Sequence, residues 1–339
     1  MQAINRRGFL STSLLSIGAL ATGWRSAYAA SETIRVLSPT WVGFAPALVA
    51  DKLGYYAEED LAINMKFEDD RTNVLAAMAR GDIDADMRTV GEHQGAPRDA
   101  STPGVIIGTI DLSVGGDGVV ADGSIAGVAN LKGKVVAVEP NIPARLLLQM
   151  ELKKVGLTLK DLKLKEIATA DTISVFSDTS VAAVGTYEPF MSQAVKTVSA
   201  RNPKLLVSSA DSEVIVDIIT ARADDLAAKP DKYRKFLRGI YRAVDYAAKE
   251  PGKFAELAAP FYGLKPEDVS DIIKTSLRYT AYEEAMSFMG TGGKPGKLHQ
   301  AFDRVMELNL EFGAASTKLN AAQQINNAVV TDLFKSAKR

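Results

Sequence analysis

The segment Asp111-Leu112-Ser113-Val114-Gly115-Gly116-Asp117 carries two carboxylates, a hydroxyl and paired glycines in one short turn after an apolar run. Two acids this close invite a general acid–base reading. No nucleophile or metal cage accompanies them in the sequence. Asp111, Ser113 and Asp117 suit hydrogen-bond acceptors for a ligand, or fasteners of a hinge. A plain turn explains the glycines but not an acid at each end.

Other segments offer polar groups just beyond apolar runs. Trp41-Val42-Gly43-Phe44-Ala45-Pro46 presents an indole that is a flat apolar wall with one N–H donor, or core filler. Gly43 allows close backbone approach. Thr89-Val90-Gly91-Glu92-His93 places Glu92 in a first helical turn, within reach of a cleft. Glu139-Pro140-Asn141-Ile142-Pro143 leads into a helix whose free N–H groups bind acceptors. Asn141 is the helix cap in the simpler reading and a ligand contact in the other. Tyr187-Glu188-Pro189 is a second such turn. Glu188 either stabilises the positive helix end or contacts ligand, and the contact is the preferred reading. Asp217, inside Val214-Ile215-Val216-Asp217-Ile218-Ile219, is a lone carboxylate in a buried strand and needs a partner. A fastener to an Arg or to backbone is preferred slightly over a ligand N–H.

These turns must be held by alternating strands and helices. Short β-branched runs are expected at 34–37, 62–67, 83–87, 105–110, 134–138, 164–167, 181–184, 204–207 and 214–220. Helical patterns fall at 46–59, 72–80 and 143–155. Beyond Arg222 nearly everything reads as helix: 231–249, 253–261, 266–279, 298–312 and 321–335. Such alternation indicates an α/β fold with mostly parallel sheets. The pattern restarts near Lys134. Two lobes are therefore expected, the second (118–217) inserted into the first (30–117 and 218–339). Crossovers are expected at Gly118–Ala121 and Val216–Thr220.

The chain has 339 residues, 47% hydrophobic and 24% charged, with a net charge of −1. That length supports two sizeable cores. The charge carries no nucleic-acid footprint. The absence of cysteine excludes disulfides, thiolate metal sites, cysteine nucleophiles and a lipidated N-terminal cysteine. His93 and His299 are too distant in sequence for a local metal motif, and both read as surface residues. No metal or cofactor is expected.

Residues 1–29 read as an export signal. Asn5-Arg6-Arg7-Gly8-Phe9-Leu10 resembles a twin-arginine (Tat) motif, followed by a soft apolar run and Ala27-Tyr28-Ala29 for cleavage. The run is too short to span a bilayer. Removing residues 1–29 leaves 37 basic against 41 acidic residues. The mature protein is expected free in the periplasm, as a monomer.

A series of motifs then lines up in order: Trp41–Pro46, Lys52-Leu53-Gly54-Tyr55-Tyr56, Ala79-Arg80-Gly81-Asp82-Ile83-Asp84-Ala85, Asn130-Leu131-Lys132-Gly133-Lys134 and Val184-Gly185-Thr186-Tyr187-Glu188-Pro189-Phe190. From about Ile34 to about Arg222 the chain resembles periplasmic binding proteins of the nitrate/taurine/sulfonate ABC importers, relatives of thiamine-pyrimidine-binding (NMT1/THI5-like) proteins. The resemblance implies a type II periplasmic-binding fold. Two α/β lobes joined by two hinge strands close on a small solute and then dock on a membrane permease. It also implies that the Tyr187–Pro189 turn faces the cleft. The acids Glu92, Asp111, Asp117, Glu188 and Asp217 outnumber cleft arginines, for which only Arg145, Arg71 and Arg88 are candidates. A nitrogenous or zwitterionic solute, taurine-like or pyrimidine-like, is expected over plain nitrate. Two rivals are a sensor subunit and a pyrimidine-synthase-like enzyme. The latter's resemblance implies a need for cysteine and histidine that this chain does not meet.

Overall fold

The computed structural model describes residues 32–335 apart from Glu213. The expected signal segment lies outside the described residues. Among the described residues, eleven strands form two mixed sheets. The first contains β1 (Glu32–Ser38), β2 (Leu61–Phe67), β3 (Ala85–Thr89), β4 (Gly104–Ser113), β10 (Val216–Arg222) and β11 (Leu277–Tyr279), in the order β11-β4-β10-β3-β1-β2. The second contains β5 (Asp117–Ala121), β6 (Val135–Val138), β7 (Lys163–Glu166), β8 (Val181–Tyr187) and β9 (Lys204–Ser208), in the order β7-β6-β8-β5-β9. Strand β1 runs parallel to β2 and β3, while β10 runs antiparallel to β3 and β4. Parallel neighbours need a crossover helix, and the α/β alternation of the sequence supplies one each time.

Local chemistry sets the element ends. Asp70 caps the helix Arg71–Arg80 by accepting from the Thr72 N–H at 2.7 Å, and Gly81, with φ of 76°, stops it. Strand β6, Val-Val-Ala-Val, is almost wholly buried because helices cover both faces of a parallel core strand.

The chain passes from the first sheet to the second over Val114–Gly116 and returns over Ser209–Ile215. Both passages lie a few residues before the positions expected from the sequence. Gly118–Ala121 is instead part of β5, paired with β8 and β9, and Val216–Thr220 is part of β10. Two helical expectations also shift. Residues 277–279 leave the helix Pro266–Ser276 to pair with β4, and beyond Asn320 only Ala321–Gln324 is helical before a run of turns. Among the described residues, no helix is long and apolar enough to cross a membrane.

Candidate functional site

One end of each sheet meets the other at the two passages, and the register brings the acids there. Asp217 sits opposite Thr89 on β3 and Asp111 on β4. Asp117 sits opposite Tyr187 on β8. The loop after β1 adds Pro39, Trp41 and Phe44. Together Trp41, Phe44, Thr89, Glu92, Asp117, Tyr187 and Asp217, with Pro39 and Pro143, line a narrow cavity of about 20 Å³ between the sheets, which is nearly closed in this arrangement. No Lys or Arg side chain is among its described lining residues. The walls are aromatic and the polar groups are acceptors, which suits an N–H-bearing ligand.

The Trp41 loop is held from behind. The Tyr262 hydroxyl donates to the Trp41 carbonyl at 3.1 Å, and the Tyr279 hydroxyl donates to the Val42 carbonyl at 3.1 Å. The indole N–H donates to the Asp111 carboxylate at 3.3 and 3.4 Å. Gly43 is required by this approach: a Cβ there would stand 2.1 Å from the indole nitrogen and 2.3 Å from an Asp111 oxygen. Gly43 therefore shapes the wall without lining the cavity.

Burial dominates the electrostatics. Asp111 is fully buried and Asp217 is 3% exposed, and the β4–β10 register sets the two directly opposite one another. Desolvation raises the affinity of both for protons, and for Asp217 the Asp111 charge adds to it. Desolvation also pushes Asp117 up to about 7, opposed by a hydrogen bond from Ser113. Glu92 is differently placed. It accepts from the Thr89 N–H at 3.0 Å and from the Thr89 hydroxyl at 2.9 Å, closing a capping box, and takes the Arg88 guanidinium at 3.1 Å. Arg88 is itself buried and also donates to the Glu68 carbonyl at 2.5 Å.

The structure separates the sequence-predicted residues. Trp41, Thr89, Glu92, Asp117, Tyr187 and Asp217 share the cavity, with Asp111 directly behind it. Ser113 is at the passage between sheets, its hydroxyl 2.8 Å from that of Ser209. Glu188 faces its own helix: its carboxylate accepts from the Ser192 hydroxyl at 2.7 Å and the Ser192 N–H at 3.1 Å, so the preferred contact role gives way to helix capping. Asn141 is not the cap. Ile142 is the capping position of the helix Pro143–Lys154 and makes no side-chain bond, while Asn141 adopts a left-handed φ of 63°. Asn141 instead lines a second, outer pocket of about 270 Å³ with Asp70, Arg71, Glu92 and Glu139. Asp217 faces Asp111 across the strand pair, and among the described residues no Arg forms an ion pair with it. Arg71 is committed to Asp86 and Arg145 to Glu166 at 2.8 Å. His93 is buried, 2.9 Å from Gln324 of the short helix Ala321–Gln324.

Three residues of the site carried no signal in the sequence. Asp69 accepts from the Thr40 N–H at 2.7 Å and from the Tyr187 hydroxyl at 2.9 Å, joining the two sheet-centred units across the cavity mouth. Ser209 accepts from the N–H groups of Gly115 at 2.8 Å and Asp117 at 3.2 Å, tying one passage to the other. Phe44 adds a wall. A polar residue after every strand is common, and only the sheet order selects these. If the Tyr187–Asp69 bond latches the closed arrangement, Tyr187→Phe is expected to weaken solute binding about fivefold to tenfold, the worth of one ordinary hydrogen bond. Its ligand-free melting point should move by less than about 2 °C. Calorimetric titration and a thermal melt check both.

Residues 41–254 match the model of the family described as NMT1/THI5 like. The chain belongs to the NMT1/THI5-like family. Its curated relatives include a protein of Brucella abortus (strain 2308) provisionally named a binding protein, 23% identical over 172 residues, which are 49% of this chain and 53% of the relative. The match thus spans about half the length of that relative. Among solved structures, the alkanesulfonate-binding protein SsuA from Xanthomonas axonopodis pv. citri bound to MOPS superimposes with a TM-score of 0.71 at 15% identity, covering 87% of this chain and 98% of that one. The periplasmic nitrate-binding protein NrtA from Synechocystis PCC 6803 gives 0.71 at 14% identity, covering 89% and 87%. This NMT1/THI5-like chain therefore has the periplasmic-binding-protein fold expected from its motifs.

Proposed function

We propose that this chain is the exported solute-binding component of an ABC importer, without catalytic activity of its own. In this reading the two sheet-centred units are lobes hinged at Val114–Gly116 and Ser209–Ile215, residues 1–29 direct export to the periplasm, and the solute-bound form docks as a monomer on a permease. The observation that carries the reading is the cavity at the meeting ends of the two sheets. Ligands of open α/β sheets bind at such strand ends. The lining selects the solute class. Acceptors from Asp117 and Asp217 between aromatic walls favour a small nitrogenous solute with N–H donors. A bare sulfonate or nitrate needs free donors or a cation; no Lys or Arg is among the described lining residues, and the N–H or O–H donors of Trp41, Thr89 and Tyr187 are committed to Asp111, Glu92 and Asp69.

A thermal-shift screen of the protein beginning at Ala30 tests this against amines, aminopyrimidines, taurine, alkanesulfonates and nitrate. A solute present at a hundredfold its Kd adds about 2.7 kcal/mol to stability by mass action. Amines or aminopyrimidines are expected to raise the melting point by several degrees, and nitrate and plain sulfonates to leave it unchanged. No shift with any class would reject the binding reading. Shifts confined to nitrate and sulfonates would reject the proposed solute class.

A further inference from the structure

We propose, resting on that reading, that the captured solute is a cation, and that its charged N–H end replaces a proton shared by Asp111 and Asp217, so that binding releases a proton to solvent. The register of β4 and β10 sets these two buried acids directly opposite one another, and no Lys or Arg is among the described residues lining the cavity beside them. Two like charges this close and out of water cannot both stay ionised, so the pair keeps a proton. The pair is buried, and Asp117 faces the same cavity.

The surrounding groups supply no other compensation. From the loop after β1 comes the neutral indole N–H of Trp41. From the side of β3 come Arg88 and Glu92, which neutralise each other. From the end of β8, Glu188 adds a further acid, occupied by Ser192, and Tyr187 donates to Asp69. Tyr262 and Tyr279 approach Asp111 from behind as neutral phenols, held so by burial, with their hydroxyls spent on carbonyls. The acids Asp111, Asp117 and Asp217 are therefore balanced by protons alone. A bound cation supplies the missing charge and lets a proton leave. Trp41, Phe44 and Tyr187 favour the same ligand, since aromatic faces attract cations. A neutral donor makes the hydrogen bonds but has no charge to exchange for the proton.

The test uses two cation/neutral isostere pairs as probes: benzylamine against benzyl alcohol, and benzamidine against benzamide. Binding is measured by calorimetric titration at pH 6, 7 and 8, in phosphate and in Tris at pH 7 and 8. At pH 8 each cation is expected to bind at least tenfold tighter than its isostere, and the advantage should shrink about tenfold by pH 6. The difference in heat between buffers should report a proton released per ligand bound. Asp217→Asn, whose amide imitates the protonated acid, should abolish both the preference and the release. Asp111→Asn serves as a second variant if the first does not fold. Equal affinity within the pairs, or cation binding with no proton release, overturns the inference. If neither cation binds at millimolar concentration while another solute of the screen above does, the inference fails and the solute-binding reading stands. If no compound in either set binds, both fail.

Discussion

Trp41→Ala is expected to lower the stability of the ligand-free protein by about 3–5 kcal/mol, the usual cost of emptying a buried indole site. It should also abolish the thermal shift produced by any solute of the screen. Trp41 is 4% exposed, its ring lies against Gly116 so closely that a Cβ there would sit 2.2 Å from it, and its edge meets Tyr187 at a centroid distance of 6.4 Å. Truncation therefore removes a cavity wall, a contact between the two sheets and the donor to Asp111 at once. Trp41→Phe separates these roles. It keeps most of the packing and loses only the N–H, so its stability loss should be about 1–2 kcal/mol, the range for an unpaired buried acceptor. Chemical denaturation measures both. A Trp41→Ala protein that keeps full stability and binding would remove the indole from the site.

The second large effect is on pH dependence. Acids raised by burial hold protons in the folded state that the unfolded chain has already lost. Their contribution to stability is complete below the ordinary carboxyl range, near pH 4, and is lost as pH rises through the folded-state value, about 7 for Asp117. Each such group changes stability by at most about 1.4 kcal/mol per pH unit within that window. The ligand-free protein is thus expected to melt highest near pH 5 and about 5 °C or more lower at pH 8. Acids held low by partners, such as Asp122 beside Ser124 and Arg201, act oppositely, but at about pH 2, outside this window. Asp217→Asn should flatten the decline and melt above the natural protein at pH 8. A melting point that climbs steadily from pH 5 to pH 8 would show that the carboxyl cluster is ionised.

Much of this architecture was legible from residue patterns. Strands such as Val135–Val138 and helices such as Pro143–Lys154 announce themselves by apolar runs, Pro at the start and Gly just past the end. The elements that escaped are those whose form depends on distant partners. Asp117–Ala121 is short and follows two glycines, so it reads as connection until β8 and β9 flank it. Leu277–Tyr279 continues a helical pattern, and only the free edge of β4 draws it into a sheet. The site divides the same way. Asp217 stood out because a charge in an apolar strand is physically anomalous, and Asp111 because it begins what reads as a turn with Asp117 and two glycines; β4 in fact runs on through Ser113. That Asp217 and Asp111 face each other follows only from the register. Glu188 looked equally exceptional but was satisfied four residues away, by Ser192. Asp69 and Ser209 are ordinary polar residues at strand ends, and nothing short of the assembled sheets distinguishes them.

The single hydroxyl of Ser209 is bonded to Ser113 and to the backbone on either side of Gly116. The outgoing and returning chains are thereby pinned at one point. If the two units open and close as proposed, that pin keeps either passage from sliding lengthwise past the other and leaves a swing about a fixed pivot. An occupant at Asp111 and Asp217 would then sit near that axle, and a change of one charge there would act where the two arms are joined.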